Sequence, residues 1–208
     1  MAAGFSLKDQ LFNVDTVGHL GQLFQDAGVF DATPFVDDIM ADMLPLARRL
    51  NIPVVGQYDL MGYWAEHEGI ETIGFNKGGT VQLGGVAVSM VPASHSSTFA
   101  TPDGLRTGGS EVGYMIGGEG HMIYVSGDTD IMADMDWMGD YYRPDIGILS
   151  SGGHFTMDMK GAAYAAKRYF KFKTVIPCHY KTFPLLEQSA DELVNGLPGV
   201  DVIEPVVM

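Results

Sequence analysis

The chain has a single cysteine, Cys178, among its 208 residues, and few positive charges. One cysteine excludes an intrachain disulfide framework, so the cysteine content gives no indication of an oxidising compartment. The 12 Lys and Arg residues stand against 26 Asp and Glu residues, which gives a formal net charge of -14. Because such a surface repels phosphate backbones and anionic lipids, we expect neither nucleic acid nor a membrane as a partner.

Long hydrophobic runs and a secretory leader are also lacking. No window reaches the roughly 18 apolar residues that span a bilayer, and the N-terminus has no basic region followed by an apolar stretch. We therefore expect a soluble, cytoplasmic protein. Its composition, 46% hydrophobic and 18% charged, is that of a globular chain. This length suits one domain over residues 1–208 with a substantial buried core.

The hydrophobic pattern alternates between helix and strand. Apolar residues spaced by three or four predict a helix over Val36–Leu50, which Pro45 weakens, and a helix at Asp59–His67 that ends at Gly69. From Thr80 the period changes to two between turn-forming glycines, which predicts an antiparallel meander. Helix and strand then alternate over Asp130–Tyr141, Ile146–Leu149, Met159–Phe170, Thr174–Ile176, Leu185–Leu193 and Val200–Val207. The pattern predicts an α/β fold.

A hexapeptide occurs twice, as Asp38–Met43 and as Asp130–Met135. One interpretation is that two halves of a pseudo-symmetric fold each begin a helix with this segment after a strand. The alternative is chance, because the sequence contains 13 methionines and a composition that favours helices. The sequence leaves both interpretations open.

Several apolar, strand-like runs end at a side chain that can bind metal. Three of these runs are followed by His95, Asp128 and His179, and a fourth is followed by His154. Strand ends on a rigid sheet hold ligands more firmly than mobile loops, and metal ligands must be placed within tenths of an ångström. Imidazole nitrogen with carboxylate oxygen suits zinc, manganese or iron rather than calcium. Each residue alone is explained by an ordinary structural hydrogen bond, but the repeated arrangement predicts a metal site.

The segments around these residues resemble a known family. Val91–Ser97, Ser126–Thr129, Gly152–Met157 and Ile176–Pro184 look like successive motifs of a branch of the metallo-β-lactamase superfamily. That branch contains metal-dependent hydrolases related to the ascorbate-6-phosphate lactonases. The likeness runs from about Leu46 to Val194 and keeps the order and intervals of the motifs. It implies an αββα sandwich of the metallo-β-lactamase type with an atypical or shortened N-terminal region, residues 1–45.

The resemblance also implies a role for each residue. His95 looks like the third histidine of the first metal site, Asp128 like the carboxylate that bridges two metals, and His179 like the histidine that closes the second site. His154 would line the pocket and orient the substrate or stabilise developing charge. Water between such metals is acidified into a hydroxide nucleophile. The implied cofactor is a divalent metal, zinc in the first place, with manganese and iron as alternatives.

The family's signature cluster, His-x-His-x-Asp-His, is missing from this sequence. One alignment places the cluster at Thr33–Ile39 and keeps only Asp38 as a metal ligand. Another matches Gly18-His19 and Asp31–Phe35 to the family's opening segments, which would mean that the histidine segment is deleted. On either alignment the first metal site loses ligands, so we do not expect a complete two-metal centre.

Two functions are consistent with this pattern. The first is a metal-dependent hydrolase that acts on a small ester, lactone or phosphorylated metabolite, with one metal on His95, Asp128 and His179, since three protein ligands plus water form a standard zinc site. The second is a catalytically silent domain that keeps the fold for binding or oligomer assembly. A thiol reaction at Cys178 ranks below both, because a cysteine on a strand is more often a small buried hydrophobic residue. If the opening strands are reduced, an exposed sheet edge favours a homo-oligomer.

Overall fold

The computed structural model describes residues 36–101, 104–182 and 184–205, and for residues 36–42 and 99–101 only the backbone. The helices and strands, in chain order, are α1 (Val36–Leu50), β1 (Val54–Gln57), α2 (Tyr58–Glu68), β2 (Thr72–Phe75), β3 (Thr80–Leu83), β4 (Val86–Pro92), β5 (Thr98–Thr101), β6 (Gly104–Thr107), β7 (Val112–Gly118), β8 (His121–Val125), α3 (Met135–Tyr142), β9 (Ile146–Ser150), α4 (Met159–Tyr169), β10 (Thr174–Cys178), α5 (Asp191–Gly196) and β11 (Asp201–Val202).

The main sheet has seven strands in the order β11-β10-β9-β8-β7-β4-β3. Strands β8 to β11 are parallel to one another, while β7, β4 and β3 join them through antiparallel pairs. Since β4 is antiparallel to β7, and β7 is antiparallel to β8, β4 runs in the same direction as β8. The carboxyl ends of β4, β8, β9 and β10 therefore lie at one edge of the sheet, where ligands bind in open α/β sheets.

One face of the main sheet packs against helices α3 and α4. Val91 and Tyr124 from the sheet share a hydrophobic cluster with Met138 of α3 and Ala162 of α4. All four are essentially inaccessible to solvent. Burial of each large apolar side chain contributes roughly 1.5–3 kcal/mol, so this face anchors the strands whose ends carry the candidate ligands.

The opposite face packs against the second, two-stranded sheet, in which β1 and β2 are parallel. Met90 and Tyr114 cluster there with Val55 of β1 and Phe75 of β2. A third cluster joins β1 to α1 and α2 around Trp64, which is 1% exposed. The layers therefore follow the order helix, sheet, sheet, helix, with a second sheet of two strands among the described residues.

Two predicted helices agree closely with the structure. Helix α1 spans the predicted range and continues through Pro45, because packing of its neighbours Leu44 and Ala47 outweighs the lost hydrogen bond. Helix α2 ends at Gly69, whose φ of 62° places it in the left-handed region that favours glycine. Across the described ranges, no helix is both long and apolar enough to cross a bilayer.

Other predicted boundaries were wrong, because contacts between distant segments replace the expected helix or strand. Helix α3 begins at Met135 rather than Asp130, since the Asp130 N–H donates to the carbonyl oxygen of Ser94 at 3.0 Å. Helix α5 begins at Asp191 rather than Leu185, because Leu186 forms an antiparallel bridge with Gly153.

Further differences appear at the C-terminus and between the predicted elements. Strand β11 covers Asp201–Val202 of the predicted C-terminal strand, whose last residues lie outside the described part. The pattern did not predict β2 or the β5–β6 hairpin. The predicted atypical segment 1–45 is described only from residue 36, as the start of α1.

The repeated hexapeptide does not form equivalent structures. Its first copy, Asp38–Met43, lies within α1, whereas the second precedes α3 and only its last residue, Met135, is helical. The interpretation that both copies begin a helix in the same way was therefore wrong.

Candidate metal centre

Asp128 and His179 lie in contact at the carboxyl edge of the main sheet. The Nε2 atom of His179 is 3.3 Å from Oδ2 of Asp128, and the side chains are 18% and 14% exposed. The hydrogen bond to Asp128 raises the pKa of His179, while burial opposes that shift. A metal bound here would replace the hydrogen bond between the two side chains, because metal ligands must be deprotonated. The imidazole nitrogen and the carboxylate oxygen form a donor set that suits zinc.

The loop that carries His179 is held in an unusual backbone conformation. His179 and Lys181 have φ values of 59° and 63°, in the left-handed region that few non-glycine residues adopt. Such conformations persist only where the surroundings enforce them. Between the two, Tyr180 is buried, and its hydroxyl donates to Oε2 of Glu204 at 2.9 Å. Lys181 Nζ donates to the same oxygen at 2.7 Å, so the segment after β11 fixes this loop.

His95 follows β4, which is separated from β8 by β7, and its side chain contacts other groups. Its Nε2 is 2.9 Å from the carbonyl oxygen of Phe155, and its Nδ1 is 3.1 Å from that of Ser96. In the described part of the chain, no group of three or more His, Cys, Asp or Glu side chains is arranged to hold a metal. The structure thus brings Asp128 and His179 together and does not bring His95 to them. Asp128 and His179 therefore provide two ligands for one metal. His95 can provide the third ligand only if its ring leaves the carbonyl oxygen of Phe155.

A cleft of about 310 Å³ is formed by the segments that follow β8 and β9 and by the first turn of α4; Asp128 and His179 are not among its lining residues. It is lined by Asp130, Ile131, Gly153, Thr156, Met157, Asp158 and Gly161. His154 is exposed on the same loop, with its ring edge-on to Phe155 at a centroid distance of 4.5 Å, and is not among the lining residues. The remaining predicted ligand, Asp38, lies in the first turn of α1, and its side chain is outside the described part.

The thiol of Cys178 remains protonated at neutral pH. Burial, and after it the negative charge of Asp128, raises the pKa of Cys178 to about 12. A nucleophilic cysteine needs a thiolate. The structure therefore supports the low rank assigned above to a thiol reaction at Cys178.

Sequence reasoning missed two residues that hold the strand exits in place. Oε1 of Glu111 accepts a hydrogen bond from the backbone N–H of His95 at 3.1 Å. Oγ1 of Thr129 accepts one from the backbone N–H of Ser94 at 3.0 Å. These bonds join positions 16 and 35 residues apart, so no local pattern around either residue indicates them.

Comparison with known proteins places this geometry in a family. Residues 36–180 match the model of the beta-lactamase superfamily domain. Over 188 residues the chain is 75% identical to a UPF0173 metal-dependent hydrolase from Ruegeria pomeroyi, and the match covers 88% of this chain and 82% of that protein. The chain belongs to this family.

Solved structures agree with that assignment. Igni18, described as a novel metallo hydrolase from the archaeon Ignicoccus hospitalis, superposes with a TM-score of 0.68 at 29% identity, over 80% of this chain and 70% of that one. YhfI from Bacillus subtilis, a metallo-beta-lactamase fold protein, gives a TM-score of 0.61 at 14% identity, over 81% and 70%. The second likeness shows the fold alone.

The predicted superfamily and αββα fold are therefore confirmed. So is the predicted enzyme class, since relatives in the family are named metal-dependent hydrolases. Family membership implies a divalent metal as the cofactor.

Proposed function

We propose that this chain hydrolyses a small neutral ester or lactone with one divalent metal, zinc in the first place, held by Asp128, His179 and His95. The contact of 3.3 Å between His179 and Asp128 carries the proposal, because it joins an imidazole and a carboxylate at the sheet edge where ligands bind. His95 completes the set when its imidazole leaves the carbonyl oxygen of Phe155. Three protein ligands with one open position form a standard catalytic zinc arrangement.

Other residues around this centre position the metal ligands and contact the substrate. A bound divalent metal supplies a nucleophile by lowering the pKa of water, and it polarises the bond under attack. The fixed loop around Tyr180 keeps His179 against Asp128. His154, exposed on the loop beside the cleft, contacts the substrate and stabilises negative charge as it develops.

Charge in the cleft favours neutral substrates over phosphorylated ones. Asp130 and Asp158 both line the cleft. Their Oδ1 atoms accept backbone hydrogen bonds from Ile131 at 2.7 Å and Gly161 at 2.6 Å, which fixes the carboxylates in place. Together with a net charge of -14, they repel an anionic phosphate group. An ester or lactone carries no such charge.

Hydrolysis by zinc-loaded protein tests this proposal. We expect zinc-dependent release of product from p-nitrophenyl acetate or a simple γ-lactone, and slower turnover of p-nitrophenyl phosphate. Asp128→Asn should abolish the zinc-dependent rate, and Asp136→Asn, which changes an exposed carboxylate on α3, should leave it unchanged. Equal rates for wild type and Asp128→Asn would contradict the proposal.

One observation favours a second function, a catalytically silent domain that serves in binding or oligomer assembly. The Nε2 atom of His95 is hydrogen-bonded to the carbonyl oxygen of Phe155, as expected for a former ligand in a protein that no longer binds metal. This alternative requires a folded protein that does not take up metal. A cytoplasmic location and homo-oligomerisation stay predictions, and a monomeric mass by light scattering would contradict the latter.

A further inference from the structure

Thr129 directly follows Asp128 and is fully buried, with 0% of its surface exposed. Its Oγ1 accepts a hydrogen bond from the backbone N–H of Ser94 at 3.0 Å and donates one to the carbonyl oxygen of Asp130 at 2.8 Å. Its own carbonyl oxygen accepts from the N–H of Met157 at 3.2 Å. Thr129 thus bonds to two loops other than its own.

One of these loops carries the candidate ligand His95, and the other carries Phe155, which holds the His95 ring. Ser94 immediately precedes His95 at the exit of β4, and Met157 ends the segment that contains Phe155, whose carbonyl oxygen contacts His95. A reciprocal bond from the Asp130 N–H to the Ser94 carbonyl oxygen, at 3.0 Å, closes the link between the β4 and β8 exits. The position of His95 relative to Asp128 is therefore set at Thr129.

We propose that Thr129 is a positioning residue for the metal centre, and that its hydroxyl holds the backbone of His95 against the β8 exit that carries Asp128, so that a metal on Asp128 and His179 can recruit the His95 imidazole. The proposal rests on the ligand set given under the proposed function. A hydroxyl group is needed because it accepts from Ser94 in the β4 loop while it donates to Asp130 in its own loop. Valine has nearly the same shape and can do neither, whereas serine can do both.

A positioning role and a merely structural role for Thr129 predict different effects on metal affinity. A threonine hydroxyl that makes a hydrogen bond contributes to stability wherever it lies. Thr72, which is half-buried in the second sheet, provides the control: its Oγ1 donates to the Met61 carbonyl oxygen at 3.2 Å, away from the strand exits of the main sheet. Loss of the Thr72 hydroxyl should lower stability without changing metal affinity. Loss of the Thr129 hydroxyl should change both.

Zinc affinity, measured by competition with a chromogenic chelator, tests this role. We expect Thr129→Val to weaken zinc binding by about 10–100-fold, as for other residues that orient metal ligands. Thr129→Ser should restore most of the affinity, and Thr72→Val should bind zinc as the wild type does. If the valine variant does not fold, a comparison of Thr129→Ser with Thr129→Ala isolates the hydroxyl at the same position.

The outcomes distinguish this proposal from the proposed function. If wild type binds zinc and folded Thr129→Val, or Thr129→Ala in its place, binds it equally well, the role of Thr129 is overturned and the proposed function stands. If Thr72→Val weakens binding as much as Thr129→Val, the effect is general destabilisation and the positioning role is again overturned. If wild type takes up no zinc, both proposals are overturned.

Discussion

Gly152 lies so close to the backbone of His179 that it leaves no room for a side chain. A Cβ atom at Gly152 would collide with the His179 carbonyl oxygen and would lie 3.0 Å from its Nδ1. The β9 exit is thus packed directly on the β10 exit, and the N–H of Ser151 donates to the Cys178 carbonyl oxygen at 3.0 Å beside it. The position of His179 depends on the absence of a side chain at residue 152.

We predict that Gly152→Ala destabilises the fold and weakens zinc binding. A methyl group forced into a packed site costs roughly 1–3 kcal/mol, and the displaced His179 would lose its contact with Asp128. Urea unfolding and a zinc titration measure the two effects. Gly62→Ala is the matched control, because Gly62 is an exposed glycine in α2 with open space around it. There alanine should be neutral or stabilising by up to about 1 kcal/mol. Equal behaviour of the two variants would refute the close contact.

We predict that Tyr180→Phe destabilises the protein more than Lys181→Met. Both substitutions remove a contact with Glu204, but Tyr180 is buried while the Lys181 and Glu204 side chains are 46% and 42% exposed. A hydrogen bond to a charged acceptor contributes about 1.5–3 kcal/mol, whereas exposed ion pairs contribute about 0–1 kcal/mol. Urea unfolding of both variants decides the order. A larger loss for Lys181→Met would show that the ion pair, and not the tyrosine, fixes the loop after His179.

The opposite edge of the sheet provides a prediction about pH. Burial raises the pKa of Asp145, but hydrogen bonds from the Met122 N–H and from His121 outweigh it, helped by the charges of His121 and Lys173, and the net pKa is lowered. The Oδ2 atom lies 2.8 Å from Nδ1 of His121. Because the folded pKa is below the unfolded value, the carboxylate stabilises the fold fully above the unfolded pKa of about 3.9.

Asp145→Asn should therefore cost roughly 1–3 kcal/mol at neutral pH. The difference from wild type should shrink as the pH falls below about 4, through the lowered folded pKa of Asp145. Urea unfolding at pH 7 and at a series of acidic values measures it. A difference that grows on acidification would mean that the assigned sign of the pKa shift is wrong.

Some of the site was predictable from the sequence because it depends on local pattern. The apolar runs of β8 and β10 place the ends of these strands; His179 follows β10 directly, and Asp128 follows β8 after Ser126 and Gly127. Parallel strands share a carboxyl edge, so adjacency of these two residues follows from the strand pattern and the family's topology. In the structure, Nε2 of His179 lies 3.3 Å from Oδ2 of Asp128.

The remaining features depend on contacts that no local pattern contains. The direction of the His95 ring depends on Phe155, 60 residues away. The late start of α3 depends on Asp130 bonding to Ser94 across the strand exits. In each case a hydrogen bond between distant loops outweighs the local preference, as it often does around functional sites.

Metal content shows whether His95, Asp128 and His179 together hold one metal. Protein purified without chelator should carry about one zinc per chain, as expected for three protein ligands with one open position. His95→Ala, Asp128→Ala and His179→Ala should each lose it while still unfolding cooperatively, and His67→Ala, an exposed histidine on α2, should keep it. A metal-free wild type, or a His179→Ala variant that retains its zinc, would contradict the account.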